Sequence, residues 1–250
     1  MRSTVFELQD VSVSFRRNAV EARSLKYFLA TRLRRQPKAT LEALSNVSLS
    51  IADGERVGVV GRNGAGKSTL LRVLARIIVP QRGRVVVDPS RRVVPLLELG
   101  VGFQPDLSGA ENCLLAGRLL GLAPACIEAR LDRIVQFAEI DGFIHEPVKH
   151  YSSGMYARLA FGLAFDVEPD VLLVDEVFGV GDEFFMEKCL ARVRALVAGG
   201  VTSVFVSHDL DFLQAHCDRL LWCDRGRLVM DGNPADVAGA YRERRGVFED

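Results

Sequence analysis

Nine residues, GRNGAGKST at 61–69, carry the densest chemistry in the chain. Glycines at 61, 64 and 66 can take backbone angles closed to other residues, so amides can curl around an anion without Cβ clashes. Asn63 and Ala65 complete the curl, and Thr69 closes it. Lys67 adds a point charge for β- and γ-phosphates, and Ser68 adds a hydroxyl suited to Mg²⁺. The run fits G-x-x-x-x-G-K-[ST] at every fixed position. An apolar strand, ERVGVV, precedes it and an amphipathic segment, STLLRVLARII, follows. A helix starting there adds the positive end of its dipole.

A nucleotide-bound cation held by Ser68 needs a carboxylate as well. VLLVDE at 171–176 supplies one at the end of an apolar strand, where ligands bind in open α/β sheets. Asp175 is expected to hold Mg²⁺ through water, and Glu176 to act as general base on an attacking water. Phosphoryl transfer needs mostly positioning and electrostatics, so two acids with separate tasks suffice. A third apolar run, SVFVSH, ends in His208. Beside the catalytic strand of a P-loop ATPase, such a histidine faces the γ-phosphate. A fourth stretch, YSSGMYARLAFGLAF at 151–165, sets Ser-Ser-Gly at a helix start. Either serine could cap that helix, and the same groups could also receive an anion.

The elements that must position these residues are legible as alternations and runs. VFELQDVSVSF and ALSNVSLSI alternate apolar and polar residues, as half-buried strands do. VLLVDE and SVFVSH are continuous apolar runs, as parallel strands buried on both faces are. Residues 105–165 read as helical, with segments around ENCLLAGRLLG and CIEARLDRIVQFAEI. RLLWCDRGRLVMDG reads as a hairpin turning at Asp224-Arg225-Gly226, and PADVAGAYRERR as a last helix. Residues 16–40 differ: Arg16, Arg17, Arg23, Lys26, Arg32, Arg34, Arg35 and Lys38 face only Glu21, with Leu25, Phe28, Leu29 and Leu33 at helical spacing. This is a basic amphipathic insertion in a single α/β unit spanning 1–250.

Composition sets outer limits. At 48% hydrophobic and 26% charged, the chain is globular. Thirty-two basic residues balance 32 acidic ones, so no overall field draws it to nucleic acid. No apolar run approaches the ~20 residues that span a bilayer, and the N-terminus is not a signal peptide. Five cysteines lie apart at 113, 126, 189, 217 and 223, without C-x-x-C, which fits a reducing compartment and buried thiols.

GRNGAGKST, YSSGM, VLLVDE and SVFVSH, in this order and spacing, resemble the nucleotide-binding subunit of an ABC transporter over essentially the whole chain. The resemblance implies a P-loop ATPase core with a parallel sheet, an N-terminal antiparallel β subdomain and a helical subdomain bearing the signature. It implies ATP and Mg²⁺ as cofactors. YSSGM stands where the family has LSGGQ, so Ser153 and Gly154 are expected to contact ATP held by a second copy in a head-to-tail dimer. Phe15 resembles the aromatic that stacks on adenine, although it could equally be core. Gly179, Gly181 and Asp182 stand at the loop that crosses the dimer interface, with FGVGD departing from the usual SALD. The family's Q-loop glutamine is missing from LLELGVGF; Glu98 can stand in as a polar or Mg²⁺-binding group, or Gln104 if the loop is rearranged.

LLELGVGFQPDLSGAEN, YSSGMYARLAF and DEVFGVGDEFF, with the basic insertion, resemble the ATPases that export O-antigen, capsule or teichoic acid. That resemblance implies a polytopic membrane subunit as partner and a peripheral place on the cytoplasmic face of the inner membrane. It also allows a lipid-linked glycan near residues 16–40. Some relatives carry a C-terminal carbohydrate-binding domain, which is not expected in this chain. An exporter of lipids or drugs is the alternative, and a soluble ABC ATPase a more distant one.

Overall fold

The structure is a computed structural model describing residues 3–16, 40–97, 100, 102–175 and 182–246. The alternating N-terminal segments form β1 (Thr4–Arg16) and β2 (Thr40–Ala52), which pair antiparallel from Thr4↔Ala52 to Arg16↔Thr40 with register shifts along the way. With β4 (Arg82–Val87) they make a three-stranded sheet in the order β2-β1-β4. The basic insertion lies between Arg16 and Thr40, and residues 17–39 fall outside the described residues.

The apolar runs build a second sheet. Its six strands are β5 (Val93–Leu96), β6 (Val171–Val174), β7 (Thr202–Val206), β3 (Arg56–Val60), β8 (Arg219–Asp224) and β9 (Arg227–Gly232), in that order. All neighbours are parallel except β8 and β9, a hairpin. Its turn residues Arg225 and Gly226 have φ of 48° and 78°, which a two-residue turn with positive φ at both positions requires.

Both faces of the parallel strands are buried, which explains their continuous apolar sequence. Val57, Val59, Leu173, Val204 and Val206 enter one core with Phe6, Leu8 and Leu44 of the smaller sheet. Val60, Leu172, Val174 and Phe205 enter the other with the helices. Helix α1 (Lys67–Leu74) packs on β2, β4 and β7, and so lies between the sheets. It stops short of the apolar run that follows: Arg76 turns to φ 58° and donates to the Val87 carbonyl at 3.0 Å.

The middle of the chain is helical: α2 (Gly109–Leu119), α3 (Pro124–Glu128), α4 (Leu131–Ala138) and α5 (Ser153–Asp166). The stretch CIEARLDRIVQFAEI, continuous in sequence, is split into α3 and α4. Ile127 of α3 sits on Gly117 of α2, where an added Cβ would lie 2.4 Å from its Cδ1. The Ile134 carbonyl of α4 lies on Gly162 of α5, 2.9 Å from a hypothetical Cβ. The break at Arg130 lets one segment serve both close approaches, and the Arg130 guanidinium donates to the Asp166 carbonyl at 2.6 Å.

Helices α6 (Glu183–Ala198), α7 (Leu210–His216) and α8 (Pro234–Gly246) complete the described chain. Among the described residues no helix is long and apolar enough to cross a membrane. Four of the five cysteines are buried, and burial pushes each of those thiols up to about 12; Cys126 is exposed.

Candidate nucleotide-binding site

Strands β3, β7 and β6 are neighbours, with Val59 opposite Val206 and Phe205 opposite Val174. Their C-terminal ends are therefore level. Gly61 continues from β3, Ser207 and His208 from β7, and Asp175 from β6. The topology thus gathers three stretches far apart in sequence along one sheet edge, where loops of open α/β sheets bind ligands. His208 is exposed and Asp175 partly so. Glu176 and Glu98 lie outside the described residues, as do Gly179 and Gly181.

The loop after β3 is held from two sides. Gly61 has φ 153°, and a Cβ there would lie 2.3 Å from the Cys223 carbonyl of β8. Gly66 has φ 104°, and its Cβ would meet the Ala43 carbonyl of β2 at 2.5 Å. The β8–β9 turn ties these contacts together: the Gly226 N–H donates to Ala65 O at 2.9 Å, and the Ser45 N–H to Gly226 O at 2.8 Å. Within the loop, the Ala65 N–H donates to Arg62 O at 3.1 Å. Lys67 is 7% exposed, and its ammonium donates to the carbonyls of Gly61 at 2.8 Å and Arg62 at 3.2 Å. The lysine thus closes the loop into a ring.

Gly64 differs from its neighbours. Its φ is 78°, yet an added Cβ would meet nothing within 4 Å. Open space stands where the loop bulges. Helix α1 begins beside it with Gly66 as N-cap and no side-chain cap. Helices α3 and α4 also start without a side-chain cap, whereas α2, α5, α6 and α7 are capped by Ser108, Ser152, Asp182 and Asp209. Every helix start leaves N–H groups without intrahelical acceptors, and at α1 no cap side chain competes for them. These amides, the Lys67 charge and the open flank suit a phosphate chain. Ser68 and Asp175 offer a hydroxyl and a carboxylate. Among the described residues no group of three or more His, Cys, Asp or Glu gathers to hold an ion. A magnesium ion there must draw most of its ligands from phosphate and water, as Mg²⁺ at nucleotide sites does.

Phe15 lies on the smaller sheet near the same loop. It pairs with Leu41, two residues before the Ala43 carbonyl that touches Gly66. The ring is 42% exposed, so it is not a core residue and its face is accessible. Ser152 proves to be the cap of α5, accepting from the Met155 N–H at 3.1 Å. Ser153 is then left exposed on the first turn. Gly154 follows in ordinary helical backbone, and a Cβ there would approach nothing closer than Ser152 Oγ at 3.8 Å. Helix α5 packs on α2, α4, α6 and β5, whereas α1 packs on β2, β4 and β7. The two helices therefore differ in their main packing partners.

Two positioning groups escaped sequence reasoning. Asn112 is fully buried; its Oδ1 accepts from the Gln104 N–H at 2.6 Å, and its amide nitrogen lies 3.0 Å from the carbonyls of Gln104, Leu107 and Ser108. Asn112 thereby anchors the Gln104 backbone, while the residue itself is exposed. Arg158 of α5 pairs with Asp182 and, at 3.0 Å, with Glu139; Lys188 of α6 reaches Glu139 at 2.9 Å. Asp182 thus caps α6 and binds α5 at once, and the Phe185 N–H and then Arg158 hold its carboxyl below the usual range. An asparagine in a helix interior was a visible signal; the partners of Arg158 were not, since they lie 19 and 24 residues away.

A loop after β3 that suits a phosphate chain, with His208 after β7 and Asp175 after β6, fits an ATP-binding cassette ATPase. The model of the family described as ABC transporter matches residues 44–179, more than half of the chain, and the chain belongs to that family. Among its relatives is the O-antigen export system ATP-binding protein RfbB of Myxococcus xanthus. That protein is 41% identical over 97% of this chain, which spans 56% of the relative's length. RfbB of Klebsiella pneumoniae is 43% identical over 80% of this chain and 81% of its own length. In fold, the chain is similar to a dimeric ATP-binding cassette solved in a post-hydrolysis state with ADP and phosphate. The TM-score is 0.69 at 21% identity, over 92% of this chain and 98% of the other.

Proposed function

We propose that this chain is the ATP-hydrolysing subunit of a transporter that exports a lipid-linked polysaccharide. The observation that carries ATP use is the open cradle at Gly64 beside an α1 start with no side-chain cap. Likeness to O-antigen export ATPases over nearly the whole chain supports the polysaccharide. Lys67 and the amides from Gly61 to Thr69, including those of Asn63 and Ala65, grip the phosphates. Ser68 and Asp175 hold Mg²⁺, with Glu98 as a further polar contact. Bound Mg²⁺ neutralises charge building on the phosphates during transfer. Glu176 accepts the proton of the attacking water, His208 orients the γ-phosphate, and Phe15 stacks on the base.

Ser153 and Gly154 complete the site of a second copy. Among the described residues no contact requires glycine at 154, and alanine would suit a helix better, which supports close approach by a second copy. A head-to-tail pair on a polytopic membrane subunit satisfies this. The assembly sits peripherally on the cytoplasmic face of the inner membrane. The insertion at 16–40 faces anionic lipid or the pyrophosphate of the carrier.

Glu176→Gln tests the assignment. It keeps the shape and removes the base, so turnover should fall ~10²–10⁴-fold. ATP binding should persist, and the protein should elute as an ATP-stabilised dimer. Cells carrying it should retain lipid-linked glycan inside. Near-normal turnover would remove Glu176 from the mechanism; normal glycan export without turnover would remove the export function.

A further inference from the structure

One contact joins the start of α5 to the loop after β5. The Tyr156 hydroxyl donates to the Gly100 carbonyl at 2.7 Å. Its ring meets Phe103 edge-on, with centroids 5.2 Å apart. Gly100 has φ 75°, and a Cβ there would lie 2.2 Å from Tyr156 Cε1 and 2.6 Å from its Cζ. The backbone turns left-handed just where the ring passes, and only glycine admits both. Tyr156 lies two residues after Gly154 on the first turns of α5, where its N–H donates to Ser152 O at 3.0 Å. Burial pushes its hydroxyl above the ordinary tyrosine range, so it stays a proton donor at neutral pH.

The neighbouring contacts make this a rigid joint. Beyond Phe103, Asn112 pins the Gln104 backbone. The Lys149 N–H donates to Pro105 O and the Val148 N–H to Leu107 O, both at 3.0 Å. The chain entering the YSSGM segment is thus zipped to the chain leaving the loop, and Tyr156 locks the far side. At the other end, Gly100 follows β5, which pairs in register with β6, the strand ending at Asp175.

We propose that Tyr156 is a positioning residue that couples the loop after β5 to the start of α5, so that Ser153 and Gly154 are presented in step with the ATP site. The proposal rests on the reading of Ser153 and Gly154 as contacts to nucleotide held by another copy. In this proposal Tyr156 acts through the backbone it holds.

The test is Tyr156→Phe in the full chain, which keeps the ring against Phe103 and removes one hydrogen bond. ATP affinity of the isolated subunit, by calorimetry without Mg²⁺ and at protein concentrations where the copies stay single, should stay within twofold, because α1 and its loop have other main packing partners. Turnover should fall about three- to tenfold, the range one neutral hydrogen bond spans. The KM for ATP, which includes pairing of the copies, should rise. Tyr156→Phe combined with Gly154→Ala should be slowed by less than the product of the single effects, since both act at one helix start. Gly100→Ala, which displaces the ring, should give the same pattern more strongly.

Turnover within 1.5-fold of wild type in Tyr156→Phe overturns the proposal. So does a slowing matched by equal loss of ATP affinity, or strictly multiplicative effects in the double variant. Gly154→Asp separates the two readings. If it turns over normally, the reading of Ser153 and Gly154 itself fails; if it is dead while Tyr156→Phe is normal, only the coupling fails.

Discussion

Three glycines in one loop have two different reasons to be there. Gly61 and Gly66 are fixed by the protein's own packing, against the Cys223 and Ala43 carbonyls. Gly64 is fixed by its backbone angle and by open space on its outer side. The distinction is testable. Gly64→Ala should fold, with a loss of about 1–2 kcal/mol for a left-handed alanine. ATP affinity should drop much further, because the new methyl stands where a phosphate would lie. Thermal unfolding and calorimetry with ATP together check this. Binding that falls only in step with stability would mean the space is mere solvent.

The helices and strands act as levers that bring distant residues to one place. Arg158 is the clearest case, since one guanidinium joins α5 to the cap of α6 and to Glu139 at the end of α4. Both acids are held below their ordinary values, Glu139 chiefly by Lys188 and Asp182 chiefly by the Phe185 N–H. A carboxyl whose native value is depressed contributes stability that is complete above its unfolded value. That contribution is lost as pH falls through the lower native one. The tie is therefore intact at neutral pH and loosens only below about pH 4. Arg158→Gln should lower the thermal midpoint at pH 7, and the gap to wild type should narrow toward pH 3. A gap independent of pH would show that Arg158 acts by packing over the Phe185 ring, 4.9 Å away, rather than by charge.

For the whole molecule, the proposed head-to-tail pairing predicts that two chains share each site, since one chain carries one P-loop and one YSSGM segment. Lys67→Ala removes the cradle, and Gly154→Asp places a carboxylate where an anion should dock. Each variant alone should be inactive. Mixed, they form some pairs with one intact site, and turnover should reappear above either parent. Normal hydrolysis by Gly154→Asp alone would show that each chain completes its own site. ATP-dependent pairing, followed by size exclusion at several protein concentrations, supplies the independent check.

The phosphate loop, the acid-ended strand, the histidine strand and the hairpin turn were legible in the sequence because each is a local code. Glycine spacing dictates backbone angles, and an unbroken apolar run dictates a strand buried on two faces. Residue contacts across the chain were not legible, because nothing local specifies them. That the β8–β9 turn braces the loop at Ala65 follows from strand order. That Ser152 rather than Ser153 caps α5 depends on where the helix begins, and that the segment after Cys126 breaks into two helices depends on glycines in two other helices. The sequence by itself determined which groups can do phosphate chemistry. Only the tertiary structure decided which of them share a sheet edge and which stand on another helix, because burial and close backbone approach are properties of packed neighbours.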